Sequence, residues 1–535
     1  MFHFTTLSHW MVTLRDRWFG AQPAMVPLSR PNELSMPAPV STTSGAQLAM
    51  VPLSRPPLSQ LARLPVDALP KPVRDCPEAM KYLALLGDLD WEHFPERPTN
   101  RPWPGPTPAP RAPFAAAYLV KLEEHFLTFK KLRSHLVKHP ALVWVLGFPL
   151  VPDPTSQPWG FDPERSVPSR KQLGRILREL DNAALQFLLT ASVRCIADAL
   201  PPDLPFGDII SLDTKHIIAW VKENNPKAFV RDRYDKTRRP KGDPDCRLGC
   251  KRRENSTPSG HGDDESRPPS DATPTTAGNP ASETLPPLGK GEYYWGYASG
   301  VVVTKIEELA EVVLAELTQP FDQSDQSYFH PLMQRTESNL GFKPRFGALD
   351  KAYDAFYVYE YFHLAGGFAA VPWADRGNHR KTFSPEGLPL CEAGLPMPLK
   401  STFWQKSHCL VPHQVGRYVC PLPSQGQCAA DCPLHHPNAA RLTGCITSLP
   451  TSVGNRVRHQ LDRNSQDFKR IYNQRSACER INSQALELGI ERPHLRNGRS
   501  IANIDTLIYV LINLRALGRI RQRLSQREAA LALNV

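Results

Sequence analysis

The chain has 535 residues, which is enough for about two to four domains with a substantial core. Its 64 Lys and Arg residues outnumber its 53 Asp and Glu residues, and the net charge of +11 favours a polyanionic partner, above all nucleic acid, although an excess of this size also serves ordinary solubility. No apolar run reaches the roughly 18 residues of a membrane span, no secretory signal pattern opens the sequence, and the 11 scattered cysteines indicate a reducing compartment instead of a disulfide scaffold. We therefore expect a cytoplasmic protein without a membrane partner.

Residues 1–112 are rich in proline and are predicted to be a largely disordered arm and linker. The octamer AMVPLSRP occurs at Ala24–Pro31 and again at Ala49–Pro56, and two copies do not make a repeat protein. A short helix is expected at Pro77–Leu86. The segment Phe94–Pro113 is dense in proline, which predicts an extended, stiff linker.

Residues 113–200 show helical periodicity. Ser169 followed by Gln172 is a capping signal and predicts a helix that begins at Arg170. Three basic side chains lie on one side of this helix, apart from its apolar face: Lys171, Arg175 and Arg178. A short basic helix after a turn is what a helix-turn-helix protein places in a DNA groove. The same pattern also occurs on the solvated face of a structural helix, so both interpretations stay open.

Residues 201–372 alternate between strand and helix patterns, which predicts an α/β domain. The predicted strands are Gly207–Leu212, Gly291–Ile306, Arg345–Leu349 and Gly367–Pro372, and the predicted helices are Glu307–Leu317 and Ala352–His363. A stretch over residues 230–291 interrupts this domain. It is first strongly basic and then rich in Ser, Thr, Pro and Gly, so we expect a flexible insertion.

Two of these predicted strands stop on an aspartate. Asp213 follows the first strand, and Asp350 follows Arg345–Leu349. A lone aspartate after an apolar run is most often a turn or cap residue, and Asp354 is an alternative to Asp350 as a site residue. The two aspartates indicate a functional site only when they are considered together with a third acidic residue further along the chain.

That third acidic residue is Glu479, in the segment IYNQRSACERINSQAL. Read as one helix over Ile471–Leu486, the segment places Tyr472, Arg475 and Glu479 on the same face. A carboxylate that shares a face with an arginine and a phenol suits a face that holds a metal ion and a phosphate better than one that packs a core. An Arg–Glu pair four residues apart also occurs as simple support of a helix.

Residues 373–464 separate Asp350 from Glu479, and residues 465–535 complete the predicted core with the glutamate helix and C-terminal helices. A basic loop at the start of the interruption contains the candidate DNA contacts Arg376 and Arg380. The rest is rich in Cys and His, and four of its residues are of the right kind for a structural zinc ion: Cys420, Cys428, Cys432 and His435. The first gap is wider than usual, and reduced buried cysteines are the alternative.

Asp213, the Asp-Lys-Ala-Tyr-Asp run from Asp350, and the pattern Tyr472-x2-Arg475-x3-Glu479 together resemble the DDE transposases of bacterial insertion sequences, in particular the IS4-like group. The resemblance covers roughly residues 200–530. It implies an RNase H-like α/β core with a mainly β, Cys-rich insertion, preceded by an α-helical DNA-binding region. One departure is clear: the family usually has a lysine seven positions after the glutamate, and this chain has Leu486.

The resemblance also implies a chemistry. Asp213, Asp350 and Glu479 would hold two Mg²⁺ or Mn²⁺ ions, while Arg475 and Tyr472 contact the DNA backbone. Such an enzyme cleaves double-stranded DNA at the terminal inverted repeats of its element and joins the freed 3′-OH to target DNA, as a homodimer acting at the bacterial nucleoid. The alternative is a catalytically decayed transposase, or a DNA-binding regulator without nuclease activity.

Overall fold

The computed structural model describes residues 51–97, 108–252, 291–374, 380–422, 432–435, 438 and 444–533. All of these residues belong to one compact unit, Ala49–Val535. The predictions for residues 1–50, for the centre of the proline-rich linker and for most of the 230–291 insertion lie outside the described residues.

A mixed sheet of six strands forms the centre of the described chain. The strands are β1 (Ile209–Ile218), β2 (Arg247–Arg252), β3 (Gly291–Ile306), β4 (Ala310–Pro320), β5 (Phe346–Leu349) and β6 (Phe368–Ala370). β3 pairs antiparallel with β1, β2 and β4, whereas β5 is parallel to both β1 and β6. With helices packed around it and no closed barrel among the described strands, the sheet confirms the mixed α/β class predicted from the sequence.

A second sheet belongs to the predicted insertion. Its strands β7 (Leu399–Gln405), β8 (His413–Val419) and β9 (Ile446–Pro450) pair antiparallel in chain order. The predicted insertion between Asp350 and Glu479 therefore contains a β-sheet in its described part.

The helices before the sheet are α1 (Leu58–Leu61), α2 (Lys71–Arg74), α3 (Pro77–Leu86), α4 (Ala112–Glu123), α5 (Phe129–Lys138), α6 (Pro140–Leu146), α7 (Pro163–Ser166), α8 (Arg170–Glu179) and α9 (Asn182–Ala199). The later helices are α10 (Phe329–Leu340), α11 (Phe356–Leu364), α12 (Val453–Gln460), α13 (Gln466–Tyr472), α14 (Ser476–Glu487) and α15 (Gly498–Leu533). Helix α8 begins at Arg170 as predicted, because the Ser169 hydroxyl accepts the Gln172 N–H at 3.2 Å.

The prediction of disorder is wrong for residues 51–97. Helix α3 has the bounds expected from the sequence, but α1 and α2 also form, and Leu61, Val73 and Tyr82 are buried in the main core. The backbone at Pro52 is also fixed to the core, because the Trp144 indole donates to the Pro52 carbonyl at 2.7 Å. Prolines occupy the first turns of short helices here and do not prevent packing. The apolar residues between the prolines pack against α6.

The predicted helix over Glu307–Leu317 is also wrong, because this stretch forms most of β4. Its Ala, Glu and Leu content is that of a helix former. Residue Glu308 adopts a left-handed φ of +60°, which turns the chain back so that β4 pairs along β3. Pairing buries Val312, Val313 and Leu314 completely, and this tertiary contact overrides the local propensity.

Helix α15 runs through the core and is the one described helix apolar and long enough to pass for a membrane span. In the structure 83% of its apolar window is buried inside the protein, so it serves as the core helix that the sequence predicted. One of its buried polar residues is fully paired with the sheet: the Asn513 amide bonds both the N–H and the carbonyl of Val313 on β4 at 2.8 Å. The interior of the helix is thereby fixed against the sheet.

Two carboxyl groups are buried where α15 meets β4. Asp505 and Glu316 are both almost completely inaccessible, and burial raises the pKa of each, with Glu316 adding to the effect at Asp505. Asp505 accepts a hydrogen bond from Thr318 at 2.9 Å, while its second oxygen has no partner among the described residues. The folded protein therefore favours a neutral Asp505.

Replacement of Asp505 by Asn should flatten the pH dependence of the free energy of unfolding. Because the folded-state pKa is raised, the contribution of Asp505 is fully present at low pH and is lost as the pH rises through that pKa. We expect the free energy of unfolding of Asp505→Asn to rise relative to that of wild type as the pH increases above the ordinary aspartate pKa, measured by urea unfolding. Asp467→Asn, at a side chain that is 77% exposed, is the control. Parallel pH curves for wild type and Asp505→Asn would contradict this account.

Candidate active site

Asp213 and Asp350 lie next to each other on adjacent strands. In the parallel pair β1–β5, Leu212 is the partner of Leu349, so the next residue on each strand is an aspartate. Adjacent strands are about 4.8 Å apart, and in-register side chains of a parallel pair point to the same face. The leucines enter the core while the two carboxyl groups stand side by side at its edge.

The two aspartates differ in their local structure. Asp213 lies within β1, opposite Val301 of β3, so the strand is longer than the predicted Gly207–Leu212. Asp350 follows β5 and caps the 3-10 helix Lys351–Tyr353, where its carboxylate accepts the Ala352 N–H. Both are half-buried and line one open cavity of about 910 Å³.

Asp354 has a structural role, which removes the alternative to Asp350. Its side chain is fully buried and forms a two-pronged ion pair with Arg458, with both N–O distances at 2.8 Å. It also accepts the Tyr359 hydroxyl at 2.7 Å and the Ala374 N–H at 2.8 Å. These contacts join α11, α12 and the loop after β6, and they leave the carboxylate no free edge toward a ligand.

A third carboxylate in the cavity is Asp325, which the sequence analysis did not identify. It begins the 3-10 helix Asp325–Tyr328 and accepts the Thr214 hydroxyl at 2.8 Å. The surrounding sequence, QSDQS, is that of an ordinary polar loop, so no local pattern marks this residue. Lys251 and Lys351 line the same cavity.

The three carboxyl groups influence one another. Burial raises the pKa of Asp213 to about 6, and the nearby Asp350 and Asp325 add to this effect, while the Thr214 N–H and Arg475 oppose it. Burial also raises the pKa of Asp325, again with a contribution from Asp350. Such mutual repulsion is what a bound cation would relieve.

Glu479 lies beside this cavity and does not line it. The predicted single helix over Ile471–Leu486 is broken into α13, a 3-10 turn at Asn473–Arg475, and α14. The Glu479 side chain is 55% exposed and pairs with Arg475 at 2.5 Å. The residue of α14 that contacts the first aspartate is Asn482, whose amide donates to Asp213 at 3.1 Å.

Arg475 links the glutamate to the two aspartates. Burial lowers its pKa, but Glu479, Tyr472, Asp213 and Asp350 outweigh that effect and raise it. Tyr472 is half-buried and stacks on Phe468, with ring centroids 5.8 Å apart. The Arg475 guanidinium therefore interacts electrostatically with Glu479 and with both aspartates of the cavity.

The described residues do not form a finished metal site. Within the described ranges, no three His, Cys, Asp or Glu side chains converge closely enough to hold a metal ion. Asp213 and Asp350 are neighbours, whereas Glu479 is paired with Arg475 and does not line their cavity.

The candidate DNA contacts outside this cavity have different surroundings. Lys171, Arg175 and Arg178 are all exposed on α8. Arg376 lies outside the described residues. Arg380 donates to the carbonyls of His459 and Leu461 at 2.8 and 2.9 Å, so its guanidinium holds the end of α12.

The cysteines of the insertion are grouped differently from the predicted zinc set. Cys420 and Cys432 are buried in one small cluster, and Cys445 packs against them. Burial raises the pKa of the Cys445 thiol, with further contributions from Cys420, Cys391 and Cys432. His435 is exposed, and Cys428 lies outside the described residues. The predicted zinc set leaves out Cys391 and Cys445, because their distance along the chain from the other thiols hides their proximity in space.

No protein-family model matches this chain, and no curated protein matches it. The geometry of the cavity and the residue pattern around it are therefore the basis for a functional proposal.

Substitution of Asp354 and of Asp350 should affect the stability of the protein very differently. Asp354→Asn leaves Arg458 buried without its charge partner, and we expect a loss of about 3 kcal/mol in the free energy of unfolding. Asp350→Asn keeps a capping side chain and removes repulsion from Asp213, so its effect should stay within about 0.5 kcal/mol. Urea unfolding of both variants measures the difference. Equal losses would mean that Asp350 is a structural residue as well.

The thiol cluster allows a test of the zinc hypothesis. If thiolates of the cluster hold a structural zinc ion, protein purified without chelators should contain about one zinc per chain by elemental analysis. Cys432→Ser should lose the metal and lower the melting temperature. Cys195→Ser, at a half-buried thiol that donates to the Asp88 carbonyl elsewhere, should keep it. A zinc-free wild type with an unchanged melting temperature would favour reduced, metal-free cysteines.

Proposed function

We propose that this chain is a DDE transposase with an RNase H-like catalytic core. In this proposal it cleaves DNA at the ends of its own element with the help of divalent metal ions, and then transfers the 3′-OH to target DNA. The observation that carries the proposal is the register of β1 and β5, which brings Asp213 and Asp350 together at one cavity. These are two of the three acids that the sequence pattern singled out.

The arrangement of the sheet supports the proposed core. The central strand β1 carries the first acid, the parallel neighbour β5 ends at the second, and α14 with the third packs against β1 and β3. The succession of strands and helices from β1 to β6 is compatible with an RNase H-like domain. The β7–β9 sheet falls where an IS4-like enzyme carries its mainly β insertion.

The cavity has the donor chemistry of a site for a hard divalent cation. Its acidic ligands are carboxylates, and Mg²⁺ and Mn²⁺ prefer oxygen donors and retain several waters. Next to them the Asn482 side-chain oxygen is buried without a hydrogen-bond partner among the described residues, while the nitrogen of the same amide bonds Asp213. Asp213, Asp350 and, after a change of partner, Glu479 would hold the ions. Two such ions supply an activated oxygen nucleophile and neutralise charge on the phosphoryl group and the leaving oxygen.

The protein groups have separate tasks in this reaction. Arg475 faces both the aspartates and the surface, so it would bind a DNA phosphate in a two-pronged contact. Once a phosphate takes over the guanidinium, the Glu479 carboxylate is released from its ion pair. In the first step water attacks phosphorus and the bond to the 3′ oxygen breaks. In the second step the 3′-OH attacks a target phosphodiester, a new P–O bond forms, and the target 3′ oxygen leaves.

The proposal also names the partners and the setting. The substrates are double-stranded terminal repeats and target DNA, and exposed cations on α8 and at the cavity would contact their phosphates. Processing two element ends together calls for a homodimer in the DNA complex. The work would take place at the nucleoid in the bacterial cytoplasm.

A cleavage assay tests the proposal. The substrates are end-labelled duplexes taken from the inverted repeats that flank the reading frame, incubated with Mg²⁺ or with EDTA. Wild type should nick the repeat end only with the metal. Asp213→Asn and Asp350→Asn should bind the duplex but cut at least about 100-fold more slowly. Asp467→Asn, at an exposed side chain on α13, should cut like wild type. Equal cutting by wild type and Asp350→Asn would remove Asp350 from the site.

A second candidate function is DNA binding without catalysis, either as a decayed transposase or as a regulator. Two observations favour it: Leu486 replaces the family lysine and is 48% exposed, and Glu479 does not line the cavity. Specific binding of the repeat ends by wild type, without metal-dependent nicking, would support this alternative.

A further inference from the structure

We propose that two loops, residues 219–246 and 488–499, form a DNA-binding surface that holds the substrate at a distance from the bond that is cut. The positive side chains of this two-loop surface contact backbone phosphates, and the exposed ring of Trp220 packs on a nucleotide. This inference rests on the proposed function, because it names a further contact with the same substrate. It is separate from the candidate DNA contacts on α8, in the loop after β6 and at Arg475.

The two loops are distant in the sequence and lie together in the structure. The first connects β1 to β2, and the second runs from the end of α14 into the first turn of α15. The rings of Trp220 and His494 stack across the two loops, with their centroids 4.0 Å apart. The Gly498 N–H donates to the Asp245 carboxylate at 3.0 Å. The two loops therefore present one continuous surface.

Positive charge is concentrated on this two-loop surface. Residues 219–246 contain eight Lys and Arg residues and five Asp and Glu residues, while residues 488–499 contain three arginines and one glutamate. The two loops thus have a net charge of +5 on 40 residues, whereas the whole chain has +11 on 535 residues. A share of the net charge this large on two adjacent loops favours a polyanionic partner at this place.

The acidic side chains of the surface are engaged in contacts within the protein. Asp243 is buried and accepts the Tyr297 hydroxyl at 2.7 Å. Asp232 pairs with Arg238 at 2.9 Å. Asp245 is held by the backbone at the start of α15. These carboxylates therefore do not pair with the remaining cations of the two loops.

Several of the remaining cations are exposed and have no partner in the described part of the chain. Arg492, Arg496 and Arg499 form no ion pair there, and their guanidinium groups donate no hydrogen bond to a described residue. The same holds for Lys222 and Arg239 on the first loop. A planar guanidinium with unused donors is suited to bind a phosphate in a two-pronged contact.

Exposed aromatic rings distinguish this surface from a solvated run of charge. Trp220 is 46% exposed and Phe229, on the same loop, is 95% exposed. The stack on His494 fixes the orientation of the Trp220 ring. Charge that serves only solubility does not account for a tryptophan held at the surface among unpaired cations. Proteins that bind nucleic acid combine these two features, since the cations contact phosphates and the rings pack on nucleotides.

The surface lies within reach of DNA bound at the candidate active site. Trp220 follows Asp213 by seven residues along β1 and its continuation, so their Cα atoms are at most about 25 Å apart. A DNA duplex rises about 3.4 Å per base pair, and about seven base pairs span that distance. A duplex with its scissile phosphate at Asp213 can therefore contact Trp220 within about one helical turn.

The salt dependence of DNA binding tests this surface. Full-length protein is titrated into a fluorescein-labelled duplex of arbitrary sequence in EDTA, and the anisotropy is measured at several salt concentrations. The double variant Arg492→Gln/Arg496→Gln should bind at least about tenfold more weakly, and its slope of log affinity against log salt should fall by about 2, because two phosphate contacts are lost. Arg63→Gln/Lys71→Gln is the matched control, since it removes two exposed positive charges near α1 and α2 and should bind like wild type.

The aromatic contact has a different signature. Trp220→Ala should weaken binding about three- to tenfold and leave the salt slope unchanged, because the ring has no charge. Binding by Trp220→Ala that equals that of wild type would overturn the nucleotide contact. Melting temperatures check that each variant folds.

The outcomes separate this inference from the proposed function. If the double variant Arg492→Gln/Arg496→Gln keeps the salt slope of wild type, or loses no more affinity than its control, the DNA-binding surface is overturned, and the transposase proposal stands if wild type cuts repeat-end DNA. If the slope falls as expected but wild type never cuts repeat-end DNA with Mg²⁺, the surface stands and the transposase proposal falls. A wild-type protein that binds no duplex at low salt contradicts both.

Discussion

The parallel pairing of β1 with β5 is the constraint on which the candidate site depends. Because Leu212 and Leu349 are partners, the strands cannot slip by one residue without exchanging buried leucines for carboxylates. The same hydrophobic contacts that stabilise the centre of the sheet therefore fix the separation of Asp213 and Asp350. The spacing of the two aspartates that the proposed function requires is set by the packing of the core.

Two elements packed onto this sheet decide what surrounds the acids. Helix α14 lies against β1 and brings Asn482 to Asp213, while its Arg475–Glu479 pair stays near the surface. The loop before α10 brings Asp325 to the other side of the cavity. Helix α15 packs against β4, where buried polar side chains such as Asn513 bond the backbone of the strand.

Much of the fold could be predicted from the sequence, because the patterns that mark buried strand and helix faces are local. The end of β5 before Asp350, the full extent of β3 and the start of α8 all follow from alternation, β-branched content and a capping serine. The failures have a common physical cause, which is tertiary contact. β4 has the composition of a helix, but pairing with β3 decides its conformation, and the proline-rich residues 51–97 fold because α6 offers them an apolar surface.

The site shows the same division between local and long-range information. Asp213 and Asp350 are marked by the apolar residues that precede them, and Arg475 and Glu479 by their spacing. Asp325 has no such mark, since a polar loop gives no sign that it packs beside two strands more than 20 residues away on either side. The break between α13 and α14 likewise depends on long-range contact, since the 3-10 turn between the two helices packs against β1 and β5.

The most direct test of the central claim is a crystal structure of the protein soaked in Mn²⁺, with diffraction data collected for anomalous scattering. If the two aspartates hold a metal ion, an anomalous peak should appear in the cavity, within metal-ligand distance of carboxylate oxygens of both Asp213 and Asp350. Anomalous density elsewhere on the protein, with none between these two aspartates, would contradict it.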